Sequence, residues 1–228
     1  MIFAMRVSLP DQPGMLGAMA TALSRGGANI ITLDVVDRGE GIAVDDLCVE
    51  APEGLTEALR RAAEEVPGAV VEAIRPLETV RDVLSPMELA TALVDTEPGD
   101  VMQTFVKGLP KALWSTWCVA LRAAEPHPAV LASSAGAPSL TNVETPWLPL
   151  DDPRRFAHAL WMPPAWRMGR FGYEAAAAPL GHNDEAVLLV RRFGPRFRPS
   201  ELRQLGFLAR MAVRVRTRVY AESDDVTV

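Results

Sequence analysis

The 228-residue chain is poor in cysteine, histidine and lysine. It has two cysteines, Cys48 and Cys118, far apart and each inside an apolar, strand-like run. That excludes a disulfide scaffold and reads as two buried thiols. The three histidines, His127, His158 and His182, are dispersed, and none stands at metal-ligand spacing from another His or a Cys. There is no glycine-rich phosphate loop or dinucleotide fingerprint. Ser133-Ser134 lacks the context of a nucleophile elbow. No apolar run approaches the ~18 residues of a membrane helix. The opening MIFAMRVSLPD turns polar too early for a signal peptide, so a cytoplasmic location is expected. No catalytic residue, metal or cofactor is expected from these absences. Dispersed residues that converge in space leave an enzyme open as the alternative.

Lysine is almost missing as well: Lys107 and Lys111 are the only two among 23 basic residues. The net charge of −6 is lopsided. Residues 1–77 hold 12 acidic and 6 basic groups, and residues 78–228 hold 17 of each. Neither part has the basic excess that binding a phosphate backbone requires, so nucleic acid is not an expected partner, and neither is a membrane. What the chain does have is apolar residues, 49% of the total, enough for one large core or two small ones.

The first part reads as strand 3–9, helix 14–25, strand 29–37, strand 42–51, helix 54–66 and strand 69–75. Leu16, Met19, Ala20 and Leu23 give the first helix one apolar face, and Leu55, Leu59, Ala62 and Val66 do the same for the second. Asp11 suits the N-cap of the first helix, with Pro13 in its first turn and Gly26-Gly27 ending it. Residues 37–41, DRGEG, read as a hairpin turn. The order βαββαβ predicts a ferredoxin-like antiparallel sheet with both helices on one face. The other face is left open to a second copy.

Within this frame stand Asp11-x-Pro13-Gly14-x-Leu16 and, fifteen residues after Gly14, Asn29-Ile30. On these residues the segment 3–76 resembles an ACT domain, a small regulatory module that often binds amino acids at a dimer interface. The resemblance implies a ligand site at Asp11, Gln12, Gly14, Met15, Leu16, Asn29 and Ile30. The helix start and loop amides would hold a carboxylate, and Asp11 or a partner's carbonyl would take the ammonium. Each residue also has a structural reading: Asp11 as a cap, Gly14 as a close-packing point, Leu16 and Ile30 as core. Some serine-responsive members carry a His where this chain has Leu9.

The expected division is 1–77, a linker over 78–84, a second domain over 85–222 and a flexible tail over 223–228. Ser85-Pro86 opens a helix with Leu89, Ala90, Leu93 and Val94 on one face, and a second helix runs over about 100–109. Residues 114–121 and 129–132 read as paired strands about Pro126-His127-Pro128, and 136–153 as a long loop. Strands follow at 174–180 and 185–190, then Gly194-Pro195-x-Phe197 and a helix from Pro199 to about Ala221. On the Pro179-Leu180-Gly181 strand end and this closing pattern, residues 85–220 resemble a GAF domain. The resemblance implies an antiparallel sheet flanked by helices and a small-molecule pocket under a variable loop. All five tryptophans fall in this part, and Trp117, Trp161, Trp166 and Arg170 are the candidate pocket residues. Core and loop-pinning roles are the competing reading.

Two carboxylate pairs, Asp45-Asp46 and Asp151-Asp152, read as a strand edge and a loop, because adjacent strand residues face opposite ways. The expectation is thus a two-domain α+β regulatory protein. It would be a homodimer through its first module, binding a small amino acid there. Its second domain would bind another small molecule or a regulatory protein partner. An enzyme with a site among the tryptophans, or an interaction module without ligand, are the rivals.

Overall fold

The computed structural model describes residues 1–77, 85–141, 143–156, 161–164, 173–192 and 195–218, without the side chain of Asn183. The chain divides into two compact units, Met1–Asp82 and Val83–Val228. Both are α+β, and each is built on an antiparallel sheet. The expected linker 78–84 and tail 223–228 lie outside the described residues, as do Trp166 and Arg170.

The first unit runs β1 (Ile2–Pro10), α1 (Met15–Arg25), β2 (Asn29–Gly39), β3 (Ile42–Glu50), α2 (Thr56–Glu64) and β4 (Val70–Leu77). The strand order β2-β3-β1-β4, with every neighbour antiparallel, is the ferredoxin-like topology expected from βαββαβ. The period of two in β1 sends Phe3, Met5, Val7 and Leu9 to the helices, where they meet Met19 and Leu23 of α1 and Leu59 and Ala63 of α2. The opposite face is buried too, at Ala4, Arg6, Val44, Asp46 and Cys48. It is not the open face that the sequence suggests.

Two turns follow the sequence closely. Gly27 (φ 83°) follows the last turn of α1, in the left-handed region where a Cβ is strained. Glu40 and Gly41, both at positive φ, close the β2–β3 hairpin as a two-residue turn. The start of α1 differs from expectation. The helix begins at Met15, and Gly14, at φ 91°, is its cap residue. Asp11 makes no capping bond; its carboxylate is drawn to Arg38 on the hairpin instead.

The second unit runs α3 (Ser85–Val94), α4 (Val101–Ala112), β5 (Trp117–Arg122), β6 (Ala129–Ser133), β7 (Arg154–Phe156), β8 (Tyr173–Leu180), β9 (His182–Arg192) and α5 (Pro199–Arg216). Its sheet order is β6-β5-β9-β8-β7, all antiparallel. Alternation splits the sheet into two cores. Cys118, Ala120, Ala176, Ala178, Val187 and Leu189 pack with α3, α4 and α5. Trp117, Val119, Leu121, Ala175, Ala177, Leu188 and Val190 pack with Leu140, Val143, Trp147 and Leu150 from the long loop. Pro110 lies inside α4 and has no N–H for the carbonyl of Val106. The Cys118 thiol donates to that carbonyl at 3.1 Å. Burial pushes the thiol pKa up to about 12, so Cys118 is an unreactive core residue. At the end of the same sheet, Arg191 is fully buried against Glu201, and its guanidinium also donates to the carbonyls of Leu113 (2.7 Å) and Trp114 (2.9 Å).

Candidate functional site

A cavity of 180 Å³ lies beneath the turn that joins β1 to α1. Leu9, Pro10, Asp11 and Gln12 come from the end of β1 and the turn, and Met15 and Leu16 from the first turn of α1. Val35 and Arg38 come from β2, and Ala43 and Asp45 from β3. The hairpin turn at Glu40-Gly41 folds β2 and β3 back beside the β1–α1 turn, and the amide of Asp11 donates to the carbonyl of Gly41 at 2.8 Å. Local turn chemistry thus brings three strands and a helix start to one place.

Four of the sequence-predicted residues, Asp11, Gln12, Met15 and Leu16, line this cavity. Gly14 sits in the same turn and supplies its left-handed backbone. Asn29 and Ile30 do not come here within one protomer. Helix α1 runs back antiparallel to β1, so β2 starts at the far end of the sheet. Asn29 pairs with Glu50, which pairs with Ile2. Eight residue rises separate the two ends, roughly 26 Å. Asn29 lines a different hollow of 520 Å³ with Met1, Ser24 and Glu50, and Ile30 packs against the core.

The charges of the cavity are unusual. At its mouth Arg38 donates to Asp11, Nη2 to Oδ1 at 2.7 Å and to Oδ2 at 2.9 Å, as an exposed ion pair. Deeper lies Asp45. The sequence reading places Asp45-Asp46 at a strand edge, but the topology puts β3 between β1 and β2, and both residues are buried. Asp46 faces Arg6, accepting Nε at 2.6 Å and Nη2 at 2.7 Å. Asp45 is paired in register with Val7 and Val35, on the helix-side face with Leu47. It is 1% exposed, and neither of its carboxylate oxygens has a hydrogen-bond partner among the described residues. Burial pushes its pKa above the usual carboxylate range. The charges of Asp46 and Asp11 add to the rise, and Arg38 opposes it. The signal in the sequence was an acid at an apolar position of the inner strand, in the run Val44-Asp45-Asp46-Leu47.

The tryptophans of the second unit are packed side chains where they are described. Trp117 is a core residue of β5, buried in the loop-side core. Trp147, Phe156 and Trp161 form one aromatic cluster with ring centroids 5.1, 5.3 and 5.7 Å apart. A separate hollow of 590 Å³ lies between residues 123–128 and 143–148. Its ionisable walls, Glu125 and Glu144, are both acidic and both exposed. Among the described residues, no group of three His, Cys, Asp or Glu side chains is placed to hold a metal ion. Among the same residues, no helix is long and apolar enough to cross a membrane.

No family model matches the chain, and no curated protein matches it. Among solved structures, it is similar to the GAF domain of a phosphoenolpyruvate-protein phosphotransferase from Acinetobacter, with 11% identity and a TM-score of 0.46 over 60% of this chain and 93% of that one. It is similar to the chromophore-binding domain of a bacteriophytochrome from R. palustris, with 13% identity and a TM-score of 0.43 over 97% and 94%. It is also similar to the ACT domain of a GTP pyrophosphokinase from Chlorobium tepidum, with 18% identity and a TM-score of 0.28 over 36% and 91%. None of these three reaches a TM-score of 0.5. The strand orders and packing described above carry the fold class.

Proposed function

We propose that the protein is a regulatory module whose first unit binds a small amino acid in the cavity under the β1–α1 turn. The observation that carries this reading is a small cavity whose wall holds charges of both signs, Arg38 against Asp11 and Asp45. A free α-amino acid carries both charges close together, its ammonium and its carboxylate on one carbon. At 180 Å³ the cavity is below the about 300–1,000 Å³ of drug-sized pockets. It has room for roughly six waters' worth of liquid volume. Leu9, Met15, Leu16 and Val35 supply an apolar wall for a short side chain. The amides of the first turn of α1, which have no intrahelical partner, suit a carboxylate.

The same reading assigns the protein as a homodimer. Strand β2 is a sheet edge, and Ile31, Leu33 and Val35 are exposed along it, at 39%, 37% and 50%. An apolar edge strand of this kind is a template for pairing with a second chain. Val35 belongs both to that edge and to the cavity wall, so pairing there would link the ligand to the dimer. A ligand would then shift the dimer equilibrium only as far as its affinities for the two states differ.

The test is a thermal-shift screen of the full chain against the twenty amino acids. A ligand at ~100 times its dissociation constant stabilises by about 2.7 kcal/mol. One or a few small amino acids should respond, and a flat response across all twenty would falsify the reading.

A further inference from the structure

We propose that Asp45 is the receptor for a primary ammonium group, so that the cavity selects small amines and zwitterions over neutral or purely anionic molecules of the same size. The inference deepens the amino-acid reading and rests on its choice of cavity, while assigning the ammonium to a residue that the sequence reading left out.

A buried carboxylate with no hydrogen bond is among the least favourable arrangements a fold can hold. Asp45 is 1% exposed with both oxygens unpartnered. Protonation alone does not repair this, because a carboxylic acid still needs an acceptor for its proton. The surroundings do not excuse it either. From β1 the neighbour in register is Val7, and from β2 it is Val35. From α1 the cavity wall is Met15 and Leu16. The charged groups facing the cavity are Asp11 and Arg38, already paired to each other at 2.7 Å. Asp46, on the other side of the strand, is held by Arg6 at 2.6 Å. A carboxylate kept unpaired beside a cavity is a group waiting for a donor.

The chemistry of the missing donor follows. It must be cationic to favour the ionised form that burial opposes. It must be compact, because the cavity is small. It must offer several N–H groups, because two oxygens are unsatisfied. A primary ammonium meets all three conditions. With the ammonium on Asp45, the carboxylate of a zwitterion is left to Arg38 and the α1 amides at the mouth.

The experiment is isothermal titration calorimetry of the full chain with two probe sets. One is the twenty amino acids, each hit compared with its 2-hydroxy acid. The other is methylamine, ethylamine and propylamine. Replacing the amine by a hydroxyl should weaken binding roughly 10- to 150-fold, the worth of one charge-assisted hydrogen-bond set. The Asp45→Asn protein should show a similar loss while melting higher than wild type, by about 2–12 °C. Equal binding by wild type and Asp45→Asn, or by an amino acid and its hydroxy acid, overturns the proposal. A response to Mg²⁺ or Ca²⁺ in place of amines overturns it too. If the amines bind through Asp45 and no amino acid does, the ammonium receptor stands and the amino-acid reading falls. If neither set binds, both fall. Should Asp45→Asn fail to fold, the amine-against-hydroxyl comparison on wild type decides.

Discussion

On β3, Asp46 is held by Arg6 at 2.6 and 2.7 Å, while Asp45, one residue earlier and facing the other way, has no hydrogen-bond partner among the described residues. The second unit repeats the first of these arrangements. Glu201 is paired with Arg191, and Glu185 with Arg122 and Arg216. Among the described residues, then, the buried acids Asp46, Glu174, Glu185 and Glu201 each have an arginine within ion-pair distance, and Asp45 does not. A paired buried acid is part of what keeps the fold, because removing it strands a buried cation. An unpaired one works against the fold and persists where a site needs it. Neutralising each acid therefore separates the two roles by the sign of the effect.

The largest effect is expected at the paired acids. Asp46→Ala leaves Arg6 buried without its counter-ion, and Glu201→Ala does the same to Arg191. Each should cost about 3–5 kcal/mol in urea unfolding. Glu201→Ala also removes the acceptor for the amide of Arg198 at the start of α5, 2.9 Å away. A loss under 1 kcal/mol at both positions would mean that the pairs are not structural.

Next in size is Asp45→Asn, which should raise the stability of the unliganded protein by about 1–3 kcal/mol, since it removes a buried charge but leaves a polar group. The pH dependence should carry the same opposition. The folded-state pKa of Asp45 is raised by burial, then by Asp46. Between the ordinary carboxylate range and that raised value the native state keeps a proton that the unfolded chain has lost, so stability falls as pH rises through this window. For Glu185, burial pushes the pKa up, but the hydrogen bonds from Arg122 and Arg216 outweigh it and the net value is lowered. Its contribution is present above the ordinary range and is lost as pH falls through the lowered value. Urea midpoints from about pH 3 to 7 should therefore show Asp45→Asn gaining on wild type as pH rises. Wild type should lose its advantage over Glu185→Gln as pH falls. Parallel curves for all three proteins would remove the distinction.

Smaller effects belong to the exposed residues. Leu33→Lys on β2 should leave stability within about 0.5 kcal/mol and shift the protein toward monomer in sedimentation velocity; an unchanged sedimentation coefficient would remove the β2 edge as the dimer contact. Arg38→Ala breaks an exposed pair with Asp11 and removes the charge that opposes the rise at Asp45, so it should lower thermal stability only slightly. Its main effect should appear in the affinity for molecules that carry a carboxylate.

Local chemistry was the readable part of this sequence. Gly26-Gly27, the hairpin at residues 37–41 and the Pro199 helix start stand where turn and cap preferences put them, and α5 ends at Arg216 with residues beyond 218 outside the described set. The β1–α1 turn was legible as a place, and four of its residues line the cavity. Contacts made across the sheet are not legible in the local sequence. Asn29 follows Gly14 closely in sequence, yet α1 carries the chain back along β1 before Asn29 appears. Asp11 looks like a cap until Arg38 arrives from a hairpin that closes later in the chain. Asp45 looks like an edge residue only while β3 is considered alone. The βαββαβ order already places that strand inside the sheet, so an acid among its inward positions was the signal to follow.

The most direct measurement is thermal unfolding of Asp45→Asn and Asp46→Asn beside wild type, without ligand and at neutral pH. The account predicts opposite signs: a higher Tm for Asp45→Asn and a lower one for Asp46→Asn. Two variants that both melt lower than wild type would contradict it, because Asp45 would then be a supporting group of the fold like its neighbour.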